Sequence, residues 1–254
     1  MHYVYHFLLQ NGDSEYSAPF EGGPRSTENL LRPQKKDSVM KEKERILDRP
    51  LVLATRNRGK IHELHRLVQG FSVEVKTLDD FGPIPSVVED GETFEDNAVL
   101  KARHTARILG LPALADDSGL EVTALGNAPG IRSARYAGEH ATDKERNMKL
   151  LSELSGVEDR SARFVCVIAI AVPRGPALLY EGICEGAITE EIQGRNGFGY
   201  DPIFYYPPLG KTFAELSADE KNRVSHRGKA LSELQSEFGK VLIWLQQRLA
   251  EEPF

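Results

Sequence analysis

The residues best suited to chemistry are Asp116-Asp117-Ser118-Gly119 and a lysine-ended turn, Ala54-Thr55-Arg56-Asn57-Arg58-Gly59-Lys60. Two adjacent carboxylates at the end of a buried strand cost electrostatic free energy unless a cation or hydrogen-bond donors offset it. Oxygen ligands of this kind suit Mg²⁺, which usually takes one or two carboxylates together with substrate phosphates. Glu89 or Asp90, in the acidic stretch before residue 93, could supply another carboxylate. The opposing reading makes Ser118 and Gly119 turn residues and the aspartates capping or solvated groups, and spacing alone leaves the two readings level. In the turn, backbone N–H groups, a helix N-terminus and the Lys60 ammonium would all point one way, which is phosphate-holding geometry. It is not a P-loop, which wants Gly where this chain has Ala54 and Ser or Thr where it has Ile61. Alone, it is equally well a solvated turn with a surface lysine.

Two further segments lie near the C-terminus. Gly194–Pro202, GRNGFGYDP, combines three glycines with Phe198, Tyr200 and Asp201, giving backbone freedom beside rings that could sandwich a base. Lys221, Arg223, His226, Arg227 and Lys229 form a basic knot in EKNRVSHRGKAL. Its plain alternative is a solvated helix start capped by Ser225. Together the loop and the knot suit a nucleotide-sized anion. His62 and His65 lack the i,i+4 spacing of a zinc helix, and spacing identifies no partner for His104 or His140.

The elements that must position these groups have an α/β texture from Leu51 onward. LVLAT is a buried strand run, KIHELHRLVQ has helix period, and VEVK is a second strand. Thr93 to Leu109 reads as an amphipathic helix stopped by Gly110 at its C′ position. ALADDSG reads as a strand running into a loop, with LEVTAL as another strand. Thr142 and Glu145 form a capping box at the start of a helix. Ala162–Val172 is the longest apolar run, and its β-branched content makes it a central strand. ALLYEGICEGAITEEI reads as two more strands, PIFYYP as one, and Ser225–Leu249 as a long terminal helix. Strands outnumber helices in the second half, so a mixed sheet is expected, in one domain of two lobes.

Composition bounds the function. The 254 residues hold 40% hydrophobic side chains, enough for a sizeable core, and carry a net charge of −6. That balance speaks against a nucleic-acid polymer as partner, which would need a broad basic surface. Two cysteines fit a reducing compartment, hence the cytoplasm. No apolar run approaches the roughly 20 residues of a membrane span. Residues 1–50 open on a short apolar stretch, Val4–Leu9, that lacks the basic flank and cleavage site of a secretory signal, and turn polar, with Pro and Gly, from Asn11 to Asp48, without helix or strand period. They are expected to be a flexible extension, or upstream sequence attached by an early start codon with Met40 as the alternative; the domain is expected over 51–250.

Taken in order, TRNRGK, FEDNAVLKAR, ALADDSGLEV, APGIRSARYAG, GFGYDPIF and SHRGKAL resemble the inosine triphosphate pyrophosphatases, the dITP/XTP pyrophosphatases of nonstandard purine nucleotides. The resemblance runs from about Leu51 to Leu245. It implies an elongated mixed β-sheet flanked by helices, with two lobes around a central nucleotide-binding cleft, and a homodimer. The implied reaction is Mg²⁺-dependent hydrolysis of ITP, dITP or XTP to the monophosphate and pyrophosphate, cleansing the nucleotide pool. Carried onto this chain, Thr55, Arg56, Asn57, Arg58, Gly59 and Lys60 would hold phosphates, with Lys101 facing the same cleft. Glu89 and Asp117 would bind Mg²⁺, Asp117 would accept the proton, and Ser118 would contact substrate. Phe198, Gly199, Tyr200, Asp201, Lys221, His226 and Arg227 would form the nucleoside side. Many relatives have a small residue where this chain has Arg56, which either adds a phosphate contact or points outward. Metal binding lowers the basicity of Asp117, so Asp116 stays open as the rival base. A pyrophosphatase of modified pyrimidine nucleotides and a non-catalytic nucleotide binder are the competing functions.

Overall fold

The computed structural model describes residues 47–71, 73–85 and 87–251. Most of the expectation for residues 1–50 therefore lies outside the described residues. Its last part needs adjustment, because Leu47 is buried in the core and Arg49 donates to the Gly110 carbonyl at 3.4 Å. The packed structure thus takes in residues ahead of Leu51.

Seven strands form one sheet in the order β2-β1-β3-β4-β5-β6-β7. These are β1 Leu51–Leu53, β2 Val75–Thr77, β3 Ala113–Val122, β4 Ser161–Ala171, β5 Ala177–Ile188, β6 Phe204–Tyr206 and β7 Lys211–Thr212. β1 runs parallel to β2 and β3, and every pair from β3 to β7 is antiparallel, so the sheet is mixed. The helices are α1 Arg58–Val68, α2 Phe94–Leu109, α3 Asp143–Glu153, α4 Ala218–Val224 and α5 His226–Ala250. The expected Thr142 capping box and Gly110 stop are present, and Thr93 adds a further cap. Thr93 Oγ1 accepts the Asp96 N–H at 3.0 Å, Thr142 Oγ1 accepts that of Glu145 at 3.2 Å, and Gly110 ends α2 in the left-handed conformation. Ser225 separates α4 from α5 in extended conformation and caps α5, its Oγ accepting the Gly228 N–H at 3.1 Å.

Two stretches depart from the sequence reading. DDSG is not a strand end running into a loop: β3 continues through it, each residue from Ala113 to Val122 pairing with β4. The unbroken apolar run of β4 supplies a ladder partner all along, and this outweighs the turn propensity of Ser118-Gly119. Gly119 serves close packing there, since a Cβ would sit 2.4 Å from the Gly130 carbonyl oxygen. Likewise ALLYEGICEGAI forms the single strand β5 rather than two. Gly182 inside it lets α5 approach, for a Cβ would meet the His226 carbonyl oxygen at 2.1 Å.

The sheet buries three apolar clusters. Ala98, Ala102 and Ala106 of α2 lie on one face against Ala113, Ala115, Val165, Val167 and Ala169; the small side chains let the helix sit close. On the other face Leu64 of α1 and Leu234, Phe238, Val241, Leu242 and Leu245 of α5 cover Leu114, Cys166, Ile168 and Ile170. At the far end Leu120, Val122, Leu150, Leu154, Phe164, Phe204 and Phe213 form the second lobe. Each fully buried Leu or Phe here contributes roughly 1.5–3 kcal/mol of transfer free energy. Asp116 to Gly119 fall between these clusters along β3, at the junction of the two lobes.

Candidate active site

Because side chains alternate across a strand, Asp116 and Asp117 leave β3 on opposite faces. Each meets its own lysine: Lys60 Nζ lies 2.8 Å from Asp116 Oδ2, and Lys101 Nζ lies 2.6 Å from Asp117 Oδ1. The expected repulsion between neighbouring carboxylates is thereby offset twice. Asp116 Oδ2 also receives Ser118 Oγ at 3.0 Å and the Arg227 guanidinium at 3.3 and 3.4 Å. Arg227 in turn lies 3.4 Å from Glu63 of α1.

These surroundings separate the two candidate bases. Burial alone would push the Asp116 carboxyl up, but the Lys60 and Arg227 cations outweigh it and hold the group well below the usual carboxylate range. Burial dominates at Asp117 and pushes it above its ordinary value despite Lys101. Of the two carboxyls Asp117 therefore takes a proton more readily, and Asp116 is held as an anion.

Glu89 lies in the loop before α2 and reaches the same ammonium, with its Oε2 3.8 Å from Lys101 Nζ. That loop is held by Asn97, whose Oδ1 accepts the Gly91 N–H at 3.0 Å, and by Arg135, which donates to the Glu89 carbonyl at 3.4 Å. Among the described residues no group of three or more His, Cys, Asp or Glu could hold a metal. The two carboxylates that share the Lys101 ammonium are oxygen donors of the kind Mg²⁺ takes one or two of, beside waters and phosphate oxygens.

On the phosphate turn, Asn57 acts as a cap: its Oδ1 accepts the N–H groups of Gly59 at 2.9 Å and Lys60 at 3.3 Å. Two of the backbone donors expected for phosphate are thus tied to a side chain of the turn itself. Thr55 Oγ1 accepts the Asn57 N–H at 3.2 Å. Arg56 points outward to Asp79, 3.7 Å away, which answers the question its type raised. The Arg58 side chain lies outside the described residues. Among the described side chains of the turn, Lys60 is the cation directed at the lobe junction.

The base-side residues divide in two. Lys221 pairs with Asp201, whose Oδ2 also accepts the Phe198 N–H at 2.9 Å. The half-exposed Phe198 ring stands 4.5 Å from Lys221 Nζ and 5.7 Å from the Arg227 guanidinium. It reaches across to the phosphate turn, where a Cβ on Gly59 would lie 3.7 Å from it. Tyr200 and His226 instead face inward. The Tyr200 hydroxyl donates to the Ser133 carbonyl at 2.8 Å, and the His226 ring stacks on Phe164 at 4.5 Å. Burial, reinforced by the Arg227 and Lys221 cations, keeps the His226 pKa well below its ordinary value. Both are anchors of the site's floor.

Sequence reading did not single out Asn97, Arg135, Glu63, Asp143 or Asn147. Asp143 and Asn147 bind the Gly199 backbone; their i,i+4 spacing placed them on one helix face but named no target.

A family model described as the Ham1 family matches residues 51–237. The dITP/XTP pyrophosphatase of Syntrophobacter fumaroxidans is 66% identical over 202 residues, 80% of this chain and 87% of that protein. That of Desulfotalea psychrophila is 59% identical over 202 residues, 80% of this chain and 91% of that protein. Among solved structures, a HAM1 protein from Coxiella burnetii has a TM-score of 0.71 and 46% identity, covering 75% of this chain and 98% of its own. The Staphylococcus aureus Ham1 protein has a TM-score of 0.71 and 43% identity, covering 76% of this chain and 99% of its own. The phosphate turn, the split aspartate pair and the aromatic loop all lie within the matched segment, and the chain belongs to the Ham1 family.

Proposed function

We propose that this chain hydrolyses dITP, ITP and XTP between the α and β phosphates, giving the nucleoside monophosphate and pyrophosphate, as a homodimer in the cytoplasm. The observation that carries the reading is the split aspartate pair: Asp117, a buried carboxylate with a raised pKa, shares Lys101 with Glu89, while Asp116 on the other face of β3 binds Lys60 and the Arg227 that stands beside Phe198. Two free buried thiols, Cys166 and Cys184, suit a reducing compartment. Among the described residues no helix is long and apolar enough to cross a membrane.

A nucleoside triphosphate carries close to four negative charges, which shield phosphorus from water. Lys60 and Lys101 supply positive charge at the cleft, and Lys60 would stabilise the departing pyrophosphate as its charge grows. Asp117 would orient the attacking water and take its proton at a carboxylate oxygen. The P–O bond to pyrophosphate breaks as the new P–O bond forms, and the proton leaves from Asp117 to solvent afterwards. Glu89 and Asp117 would hold Mg²⁺, which neutralises phosphate charge and acidifies bound water.

Base choice follows from donor and acceptor matching. Hypoxanthine and xanthine carry a 6-keto acceptor, whereas adenine carries a donor there. Lys221 and Arg227 are donor-only groups, so adenine would leave them unmatched, a discrimination of about 10⁴ when the groups are desolvated. The test is pyrophosphate release from ITP, XTP, dITP, GTP and ATP, with Mg²⁺ and with a chelator. Rapid release from the first three, lost on chelation and restored by Mg²⁺, is expected. Equal rates on ATP, or preference for a modified pyrimidine triphosphate, would refute the reading.

A further inference from the structure

We infer that Asp143 and Asn147 of α3 are positioning residues for the base side of the site, acting through the backbone of Gly199. The inference rests on the nucleotide reading above and identifies what holds its aromatic loop.

The loop is gripped from both sides at one residue. Asp143 Oδ2 accepts the Gly199 N–H at 2.6 Å, and Asn147 Nδ2 donates to the Gly199 carbonyl at 3.1 Å. The two side chains are four residues apart and so share one face of α3. Gly199 itself has φ +64°, a left-handed conformation that a side-chain-bearing residue adopts at a cost. This turn sends Phe198 and Tyr200 in different directions. Tyr200 goes down to the Ser133 carbonyl, while Phe198 stands up beside Lys221 and Arg227.

The grip is rigid on the helix side. Asp143 is held by a close ion pair with Arg146, which also donates to the Ala134 carbonyl at 2.9 Å. Asn147 is 2% exposed, and Leu150, about one turn beyond it, belongs to the second-lobe core. The Phe198 N–H is tied to Asp201, so the backbone on both sides of the ring is fixed while the ring remains 39% exposed. A stacking ring whose backbone is already ordered loses less conformational freedom when a base arrives. The clamp therefore acts on nucleoside binding, whereas proton transfer and phosphate charge are handled at Asp117, Lys60 and Lys101.

The experiment compares Asn147→Ala, Asp143→Ala and Asp143→Asn in the full chain. Steady-state pyrophosphate release from ITP gives KM and kcat. Competitive inhibition by inorganic tripolyphosphate, which has phosphates and no base, reports the phosphate end alone. Each alanine variant is expected to raise KM for ITP by about fivefold to tenfold, the worth of one hydrogen bond, with kcat within about twofold. The inhibition constant of tripolyphosphate is expected to stay unchanged, and Asp143→Asn, which keeps an acceptor for Gly199, to restore most of the lost affinity. An unchanged KM in both alanine variants, or a tripolyphosphate constant that rises in step with KM, would overturn the inference. Should the buried Asn147→Ala not fold, Asp143→Ala carries the test, since its side chain is 44% exposed. Failure of the nucleotide reading itself looks different: the unmodified protein would release no pyrophosphate from ITP.

Discussion

Asp116→Asn and Asp117→Asn make the same chemical change at neighbouring positions of β3, yet the structure predicts opposite consequences. Asp116 is 4% exposed, and one oxygen receives Lys60 at 2.8 Å, Ser118 at 3.0 Å and Arg227 at 3.3 Å. An amide there removes the only negative charge within ion-pair distance of Lys60 among the described residues. Breaking a buried pair by neutralising one partner typically costs about 3–5 kcal/mol. Arg227 keeps Glu63 at 3.4 Å, so the lower end, about 3 kcal/mol, applies. At about 2–4 °C per kcal/mol for a domain of this size, the melting temperature should fall by about 6–12 °C. At Asp117, by contrast, Lys101 retains Glu89 at 3.8 Å, and the amide oxygen can still accept from it. The stability change should stay below about 1 kcal/mol, while loss of the proton acceptor lowers kcat by about 10²-fold or more. Differential scanning calorimetry beside a pyrophosphate-release assay reads both effects. An Asp116→Asn protein melting within about 2 °C of the parent would refute the buried-pair reasoning. An Asp117→Asn protein keeping more than about a tenth of kcat would remove Asp117 from the mechanism.

Three further outcomes follow from the geometry. His226 is buried neutral with its pKa held well below 6.5, so below that pH the unfolded chain takes up a proton that the folded chain does not. Stability should then be full above pH 6.5 and decline as pH falls below it, and His226→Phe should flatten that decline in melting curves between pH 5.5 and 7.5. Phe198→Ala removes the ring beside Lys221 and Arg227. Base stacking is worth about 1–3 kcal/mol, so KM for ITP should rise about tenfold or more, with kcat little changed in initial-rate assays. Gly182→Ala would place a methyl 2.1 Å from the His226 carbonyl oxygen and 2.6 Å from the Ala230 nitrogen. The displaced start of α5 should cost about 1–3 kcal/mol or more in chemical denaturation and weaken the Arg227–Asp116 contact.

Much of the site was legible in the sequence because its chemistry comes in short blocks. Lys60 closes a strand-to-helix turn, the aspartates follow directly on an apolar strand run, and the Thr142 and Ser225 caps sit where hydroxyl chemistry places them. Two errors share one cause. DDSG read as a loop and β5 as two strands because glycine and serine locally favour turns, whereas both segments are held straight by their full-length pairing with β4. Once β3 is continuous, strand alternation alone sends Asp116 and Asp117 to opposite faces. The inward turn of Tyr200 and His226 was not legible, since an aromatic ring beside glycines looks the same whether it faces a ligand or a core.

Helix and strand periods, caps and apolar runs act over a few residues, so the blocks, their order and the mixed sheet that the long β4 run organises follow from local sequence. Tertiary structure alone decided which charge meets which. Arg227 reaches Asp116 across 111 residues, Gly199 is held by an asparagine 52 residues away, and Lys101 arrives at Asp117 from a different element. Those pairings depend on strand order and on which face of the sheet each helix crosses. Chain closure over such distances is set by the packing of the whole core, and no local pattern encodes it.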